Sequence, residues 1–144
     1  MLGIESVNHV GIRVGDKSTS VEFYQLLGFD LKSDAGFEKG HPVIMKHPSG
    51  VVLNLLGPAT VADNSNILMD VDDKYTGITH FALTVSSLDD AKTFMANNDI
   101  KITGSFGFGP MSAIFIRDPD RNVIELDAYT MVDSNHDGDY ADHP

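Results

Sequence analysis

Four residues have the types and the spacing to build a metal centre. His9 and His80 stand 71 positions apart in a chain of 144 residues, and Asn54 and Glu125 are separated by the same interval. Two imidazoles and one carboxylate leave open positions on a divalent ion. Fe(II) oxygenases favour that set, and Mn, Ni, Co or Zn also accept it. Beside a single carboxylate such an ion keeps net positive charge, so it can polarise and chelate a substrate offering two adjacent oxygens. A lone histidine on a strand is more often a hydrogen-bonded scaffold residue than a ligand. Two at matching positions, with a carboxylate at a third, favour ligation. The chain has no cysteine, which excludes thiolate ligands, thiol nucleophiles and disulfides.

The elements that must position these residues are legible in the hydrophobic pattern. Residues 8–14 read as a strand, because Val10, Ile12 and Val14 alternate with His9, Gly11 and Arg13. Residues 77–85 repeat this, with Phe81, Leu83 and Val85 on the apolar face and His80 opposite. Residues 16–28 predict a helix, with Thr19 and Glu22 at capping-box spacing and Gly28 suited to its end. Short strands are expected at 29–31 and 43–46, and a longer one at 51–56. The second half predicts a helix at 88–97 behind Ser87, a strand near 100–103, and a Gly-rich loop at 104–110. Strands at 112–117 and 123–128 then flank a turn at 118–122.

The shift of 71 also carries Phe23 onto Phe94, Gly36 onto Gly107, Pro48 onto Pro119 and Leu55 onto Leu126 without a gap. The chain therefore reads as one domain of two βαβββ modules. Module one covers 5–58, a linker 59–76, module two 77–129, and an acidic extension 130–144. Modules of roughly 50 residues are small to stand alone, so the two should share a sheet or bury faces together. A pseudo-twofold axis between them would bring His9, Asn54, His80 and Glu125 into one cluster.

Four motifs carry a wider likeness. Asn8-His9-Val10-Gly11-Ile12-Arg13-Val14, Phe23-Tyr24-Gln25-Leu26-Leu27-Gly28-Phe29, Ile78-Thr79-His80-Phe81-Ala82 and Asp118-Pro119-Asp120-Arg121-Asn122-Val123-Ile124-Glu125-Leu126 resemble the vicinal oxygen chelate superfamily. That group includes glyoxalase I, methylmalonyl-CoA epimerase, extradiol dioxygenases, fosfomycin-resistance enzymes and bleomycin-binding proteins. The resemblance implies an α+β fold in which two tandem βαβββ modules form a curved, cup-shaped mixed sheet with helices on the outer face. It also implies a homodimer and one divalent metal ion. By position, His9, His80 and Glu125 take the metal-ligand places. Asn54 departs, because glyoxalase I and the epimerase hold Glu or Gln there. Asn is a methylene shorter than Gln and cannot act as a general base. Glu125 is then the one metal-site carboxylate, and the expected catalytic base.

The function so implied is a metal-dependent, lyase- or isomerase-like proton transfer through an enolate, on a small molecule with vicinal oxygens. An extradiol dioxygenase or a fosfomycin-type transferase is the alternative, and a metal-free drug-binding resistance protein a further one. Against the dioxygenase, residues 111–117 hold no Tyr or His to handle phenol protons. Against the transferase, residues 104–110 offer a phosphonate nothing beyond their glycines.

Arg13 is placed equally for an anionic substrate or for a rim carboxylate. Arg117 suits a structural bond to Asp118 or Asp120, with substrate contact as the minor reading. Asn54 is a candidate substrate contact, and so is Tyr75, where such folds admit substrate. His41 and His47 flank the third strand as candidate acid–base groups, though turn positions usually hold surface histidines. Met45, Ala113 and Phe115 are expected to shape the cup, and the loop at 104–110 reads as a lid or as packing at its edge.

The net charge of −11, with ten basic residues scattered singly, disfavours nucleic acid. No apolar run approaches the roughly 20 residues of a membrane span. No basic-then-apolar leader opens the chain, and a cytoplasmic location is expected. From Val132 onward four aspartates stand without Lys or Arg. That tail imitates half a calcium loop, but Pro144 occupies the place of the closing Glu, so a solvated extension is the expectation.

Overall fold

The computed structural model describes residues 1–61 and 63–130. The acidic extension from residue 131 lies outside the described residues. Among those described, the order is β1 (Val10–Arg13), α1 (Lys17–Leu26), β2 (Asp30–Asp34), a 3-10 turn (Phe37–Lys39), β3 (Val43–Lys46) and β4 (Val52–Leu56). It continues with β5 (His80–Thr84), α2 (Leu88–Asn97), β6 (Gly104–Phe108), β7 (Met111–Arg117) and β8 (Val123–Tyr129). Two four-stranded sheets result, ordered β1-β4-β3-β2 and β5-β8-β7-β6. The same order in both sheets is the expected α+β pair of βαβββ modules. Among the described residues no helix is long and apolar enough to cross a membrane.

Each helix starts where a side chain can satisfy an orphan amide. The Asp16 carboxylate accepts from the Thr19 N–H at 2.8 Å, and the Ser87 hydroxyl accepts from the Asp90 N–H at 3.1 Å. Asp16 therefore caps α1, and the expected Thr19–Glu22 capping box is corrected: Thr19 lies inside the first turn and supplies the capped amide. Asp16 and Ser87 are themselves 71 positions apart. Asp89 and Asp90 add favourable charge to the first turn of α2.

The stretch at 104–110 is also corrected. Most of it is β6, paired antiparallel with β7 from Gly104↔Phe115 to Phe108↔Met111. Its backbone is committed to a ladder, which leaves no lid. Glycines are tolerated there because β6 is an edge strand.

The chain divides into two compact units. The first takes Met1–Phe81 and Arg117–Ile124, and the second takes Ala82–Ile116 and the described residues from Glu125 onward. In the first, β1 and β4 are parallel with Ile12 beside Leu55, and Met45 of β3 faces Leu53. All four side chains are buried, so Met45 belongs to the core and does not line a cup. Gly57 closes this core: a methyl group there would overlap the buried Phe37 ring. His47 is held against the Phe29 ring at 5.3 Å and bonds to Ser49 Oγ at 2.7 Å, a scaffold role. In the second unit Ala113, Ile114 and Ile116 of β7 are buried, as are Leu126 of β8 and Met95 of α2. Ala113 thus joins the core, away from the lining role expected of it.

The turn between β7 and β8 is built into the first unit. The Tyr24 hydroxyl donates to Asp118 Oδ2 at 2.8 Å, and Asp118 Oδ1 accepts from the Asp120 and Asn122 amides, each at 2.9 Å. Asp120 accepts from the Gly15 N–H at 3.1 Å, and the Asn122 side-chain Nδ2 donates to the Arg13 carbonyl at 3.3 Å. Burial pushes the Asp118 carboxyl up, against the pull of donors from Asn122, Tyr24 and Asp120. Tyr24→Phe removes one donor from a buried acceptor and should cost roughly 1–3 kcal/mol in urea denaturation. Gly57→Ala should destabilise by a similar ~1–3 kcal/mol in the same assay, because the Phe37 ring must move. Wild-type midpoints for both variants would show that neither contact holds the first unit together.

Candidate functional site

A cavity of about 780 Å³ opens within the first unit. β1 supplies His9, Gly11 and Arg13, the start of β5 supplies Ile78 and His80, and the linker supplies Ile67 and Leu68. Alternation along β1 explains its contribution. Ile12 and Val14 are buried in the core, which turns His9, Gly11 and Arg13 the other way. His80 at the head of β5 is exposed.

The imidazoles are oriented alike. His9 Nδ1 donates to the Asn8 side-chain oxygen at 2.7 Å, which leaves Nε2 of the neutral ring with its lone pair. His80 Nδ1 bonds to Thr79 Oγ1 at 2.8 Å. The partner is the preceding residue in both cases, so the histidine and its orienting neighbour recur together at the 71-residue interval. Metal-ligating histidines are commonly fixed in this manner, through the ring nitrogen that does not ligate.

The other expected site residues fall in different places. Arg13 lines the cavity, and among the described residues its guanidinium pairs with no carboxylate. Asn54 sits beside Gly11 in the β1–β4 register and shares its face, but it does not line the cavity. Tyr75 is exposed and does not line it either. Arg117 pairs with Asp70 at 3.0 Å and donates to the Arg121 carbonyl at 2.9 Å. The structural role expected for Arg117 is therefore present, with Asp70 as partner in place of Asp118 or Asp120. Among the described residues no three His, Asp or Glu side chains group closely enough to hold an ion.

Glu125 lies on β8 in the second unit, where the strand's period of two puts Asp127 on the same side. The two carboxyls share a hydrogen bond, and Asp127 Oδ1 is buried without a partner among the described residues. Burial first, then the bond to Glu125 and its charge, push the Asp127 carboxyl up to about 6. Asp127 was not among the residues expected at the site. Its signal was a second acid two residues after Glu125.

A family model described as the Glyoxalase/Bleomycin resistance protein/Dioxygenase superfamily matches residues 6–126. The chain belongs to that superfamily. Among glyoxalase-superfamily relatives, the glyoxalase domain-containing protein RDO1 of Mycosarcoma maydis is 24% identical over 132 residues, covering 89% of this chain and 70% of that protein. Solved structures that share the fold include the following two. Lactoylglutathione lyase from Agrobacterium tumefaciens is 19% identical, with a TM-score of 0.64 over 87% of this chain and 94% of that one. TnmS3, an antibiotic binding protein from Streptomyces sp. CB03234, is 19% identical, with a TM-score of 0.66 over 90% and 100% of the two chains.

The carboxyl pair makes stability depend on pH in a definite direction. Asp127 holds its proton in the folded chain at a pH where the unfolded chain has released it. Folding therefore takes up protons between about pH 4 and pH 6, and stability falls as the pH rises through that window. Urea denaturation of metal-stripped protein should show this decline, and Asp127→Asn should remove it. An equal decline in the variant would place its origin elsewhere.

Proposed function

We propose that this superfamily member is a divalent-metal-dependent enzyme acting on a small molecule with vicinal oxygens, by lyase- or isomerase-like proton transfer. His9, His80 and Glu125 are the residues that would hold the ion, with Glu125 as the base, although the three do not stand grouped around an ion site among the described residues. One observation carries this reading: the two histidines line one cavity, each with Nδ1 bonded to the side chain before it. The set of two imidazoles and a carboxylate fits a divalent ion of Fe, Mn, Ni, Co or Zn. Such an ion supplies Lewis-acid polarisation of two adjacent substrate oxygens. The remaining work falls to the chain. Arg13 binds an anionic group of the substrate, and Glu125 moves the proton.

The fold shared with TnmS3 supports a second reading, metal-free ligand sequestration in the same cavity. It finds no use for the paired histidines, and we rank it below the enzyme.

Elemental analysis of protein purified without added metal separates the two. Near-stoichiometric metal is expected in the wild type, falling by roughly tenfold or more in His9→Ala and in Glu125→Gln. Unchanged metal content in both variants would sink the enzyme reading, and a ligand-induced thermal shift indifferent to chelator would favour sequestration. Arg13→Met should weaken binding of anionic ligands by roughly tenfold to a hundredfold while sparing neutral ones, as measured by calorimetry.

A further inference from the structure

The linker at 59–76 is longer than most connections and contains no strand or helix among its described residues, yet it is built around a fixed turn. The Asn66 side-chain oxygen accepts from the Leu68 and Met69 amides at 3.0 and 3.2 Å, and the Asn66 amide donates to Asp70 Oδ2 at 2.7 Å. Asp70 then ties the turn to the β7–β8 hairpin. Arg121 meets its carboxylate with two parallel bonds, Nε to Oδ2 at 2.7 Å and Nη2 to Oδ1 at 3.0 Å. Arg117 Nη1 adds a third contact at 3.0 Å, and the Asn66 side-chain Nδ2 donates to the Arg121 carbonyl at 3.1 Å. The Arg121 hydrogen bond, first among several donors and charges, holds the Asp70 carboxyl well below the usual range.

A bidentate arginine fixes direction as well as distance. Here it fixes the two apolar residues that the turn presents to the cavity, Ile67 and Leu68. Leu68 packs over Gly77, where a β-carbon would lie 2.9 Å from Leu68 Cδ1. Ile78, almost fully exposed, continues the apolar surface on the cavity side. His9, His80 and Arg13 line the same cavity. One chamber thus carries an ionic group of residues and an apolar one.

We propose that the turn from Asn66 to Asp70 is the specificity wall of this cavity, seating the apolar part of an amphipathic anion on Ile67 and Leu68, and that Asp70 is the positioning residue that holds the wall through Arg117 and Arg121. The ligand class rests on the reading under Proposed function, with the anionic end on Arg13 and vicinal oxygens at the histidine side. Straight-chain 2-oxo acids, which combine a carboxylate, adjacent oxygens and an alkyl tail of chosen length, are the matching probes.

The test is calorimetric titration of the full chain with 2-oxo acids of three to eight carbons. Wild type should bind about fourfold more tightly for each added methylene, the yield of burying one such group. Leu68→Ala and Asp70→Asn should both flatten this dependence while leaving the affinity for the three-carbon acid within about twofold. That retained affinity, with an unchanged far-UV circular dichroism spectrum, shows that neither variant has merely unfolded. Arg13→Met should weaken every acid by a similar factor and keep the slope. A wild-type slope retained in both wall variants overturns the proposal, as does a wild type with no slope or no binding. The metal reading fails on a different measurement, the metal content of His9→Ala, so the two failures are distinguishable.

Discussion

The interaction on which the first unit depends is the buried bond between the Tyr24 hydroxyl and Asp118. It spans 94 positions of sequence and joins α1 to a turn that belongs, by repeat, to the other module. A carboxylate in such a place is costly unless its lone pairs are filled. Here Tyr24 and the amides of Asp120 and Asn122 fill them. Everything else the turn does follows from that seat. Asp120 fixes the entry to α1 through Gly15, Asn122 fixes the end of β1 at Arg13, and Arg121 reaches the linker. The cavity walls are therefore set by one buried carboxylate that never faces the cavity.

Much of this was legible in the residues. The 71-residue interval located both helices, the last strand of each module and the histidine pair, because burial enforces a period that a duplicated fold must keep. Boundaries failed where local chemistry was ambiguous. Asp16 and Thr19 both resemble helix caps, and three residues decide between them only through backbone geometry. The stretch 104–110 looked like a loop because glycine weakens a strand, but an edge strand borrows its stability from the neighbour it pairs with. Met45 and Ala113 were misplaced because alternation tells that two faces exist without telling which one is the core.

The candidate site divides in the same way. His9 and His80 were readable because the same interval that relates them also relates Asn54 and Glu125. Arg117 and Asp70 were not, because an ion pair between a linker and a distant turn leaves no trace in local pattern. Asp127 stood in plain view beside Glu125. Its importance comes from burial, which composition does not record. The two modules also differ where it matters chemically: at the equivalent place on the last strand, the first has Asn54 and the second has Glu125. Duplication conserved the scaffold and let the reactive groups diverge.

The late position of the Asp118 turn has a consequence for how the chain is made. Residues 1–81 leave the ribosome well before residues 117–124, so the first unit emerges with its Tyr24 hydroxyl, Gly15 amide and Arg13 carbonyl lacking their partners. Such a half-built unit cannot close on its own schedule, and the long loop it must wait for raises the entropy of closure. The first half of the repeat, though a complete βαβββ pattern, is thereby tied for its completion to the turn at 117–124. A gene encoding the first half alone would yield a chain missing the turn that finishes it.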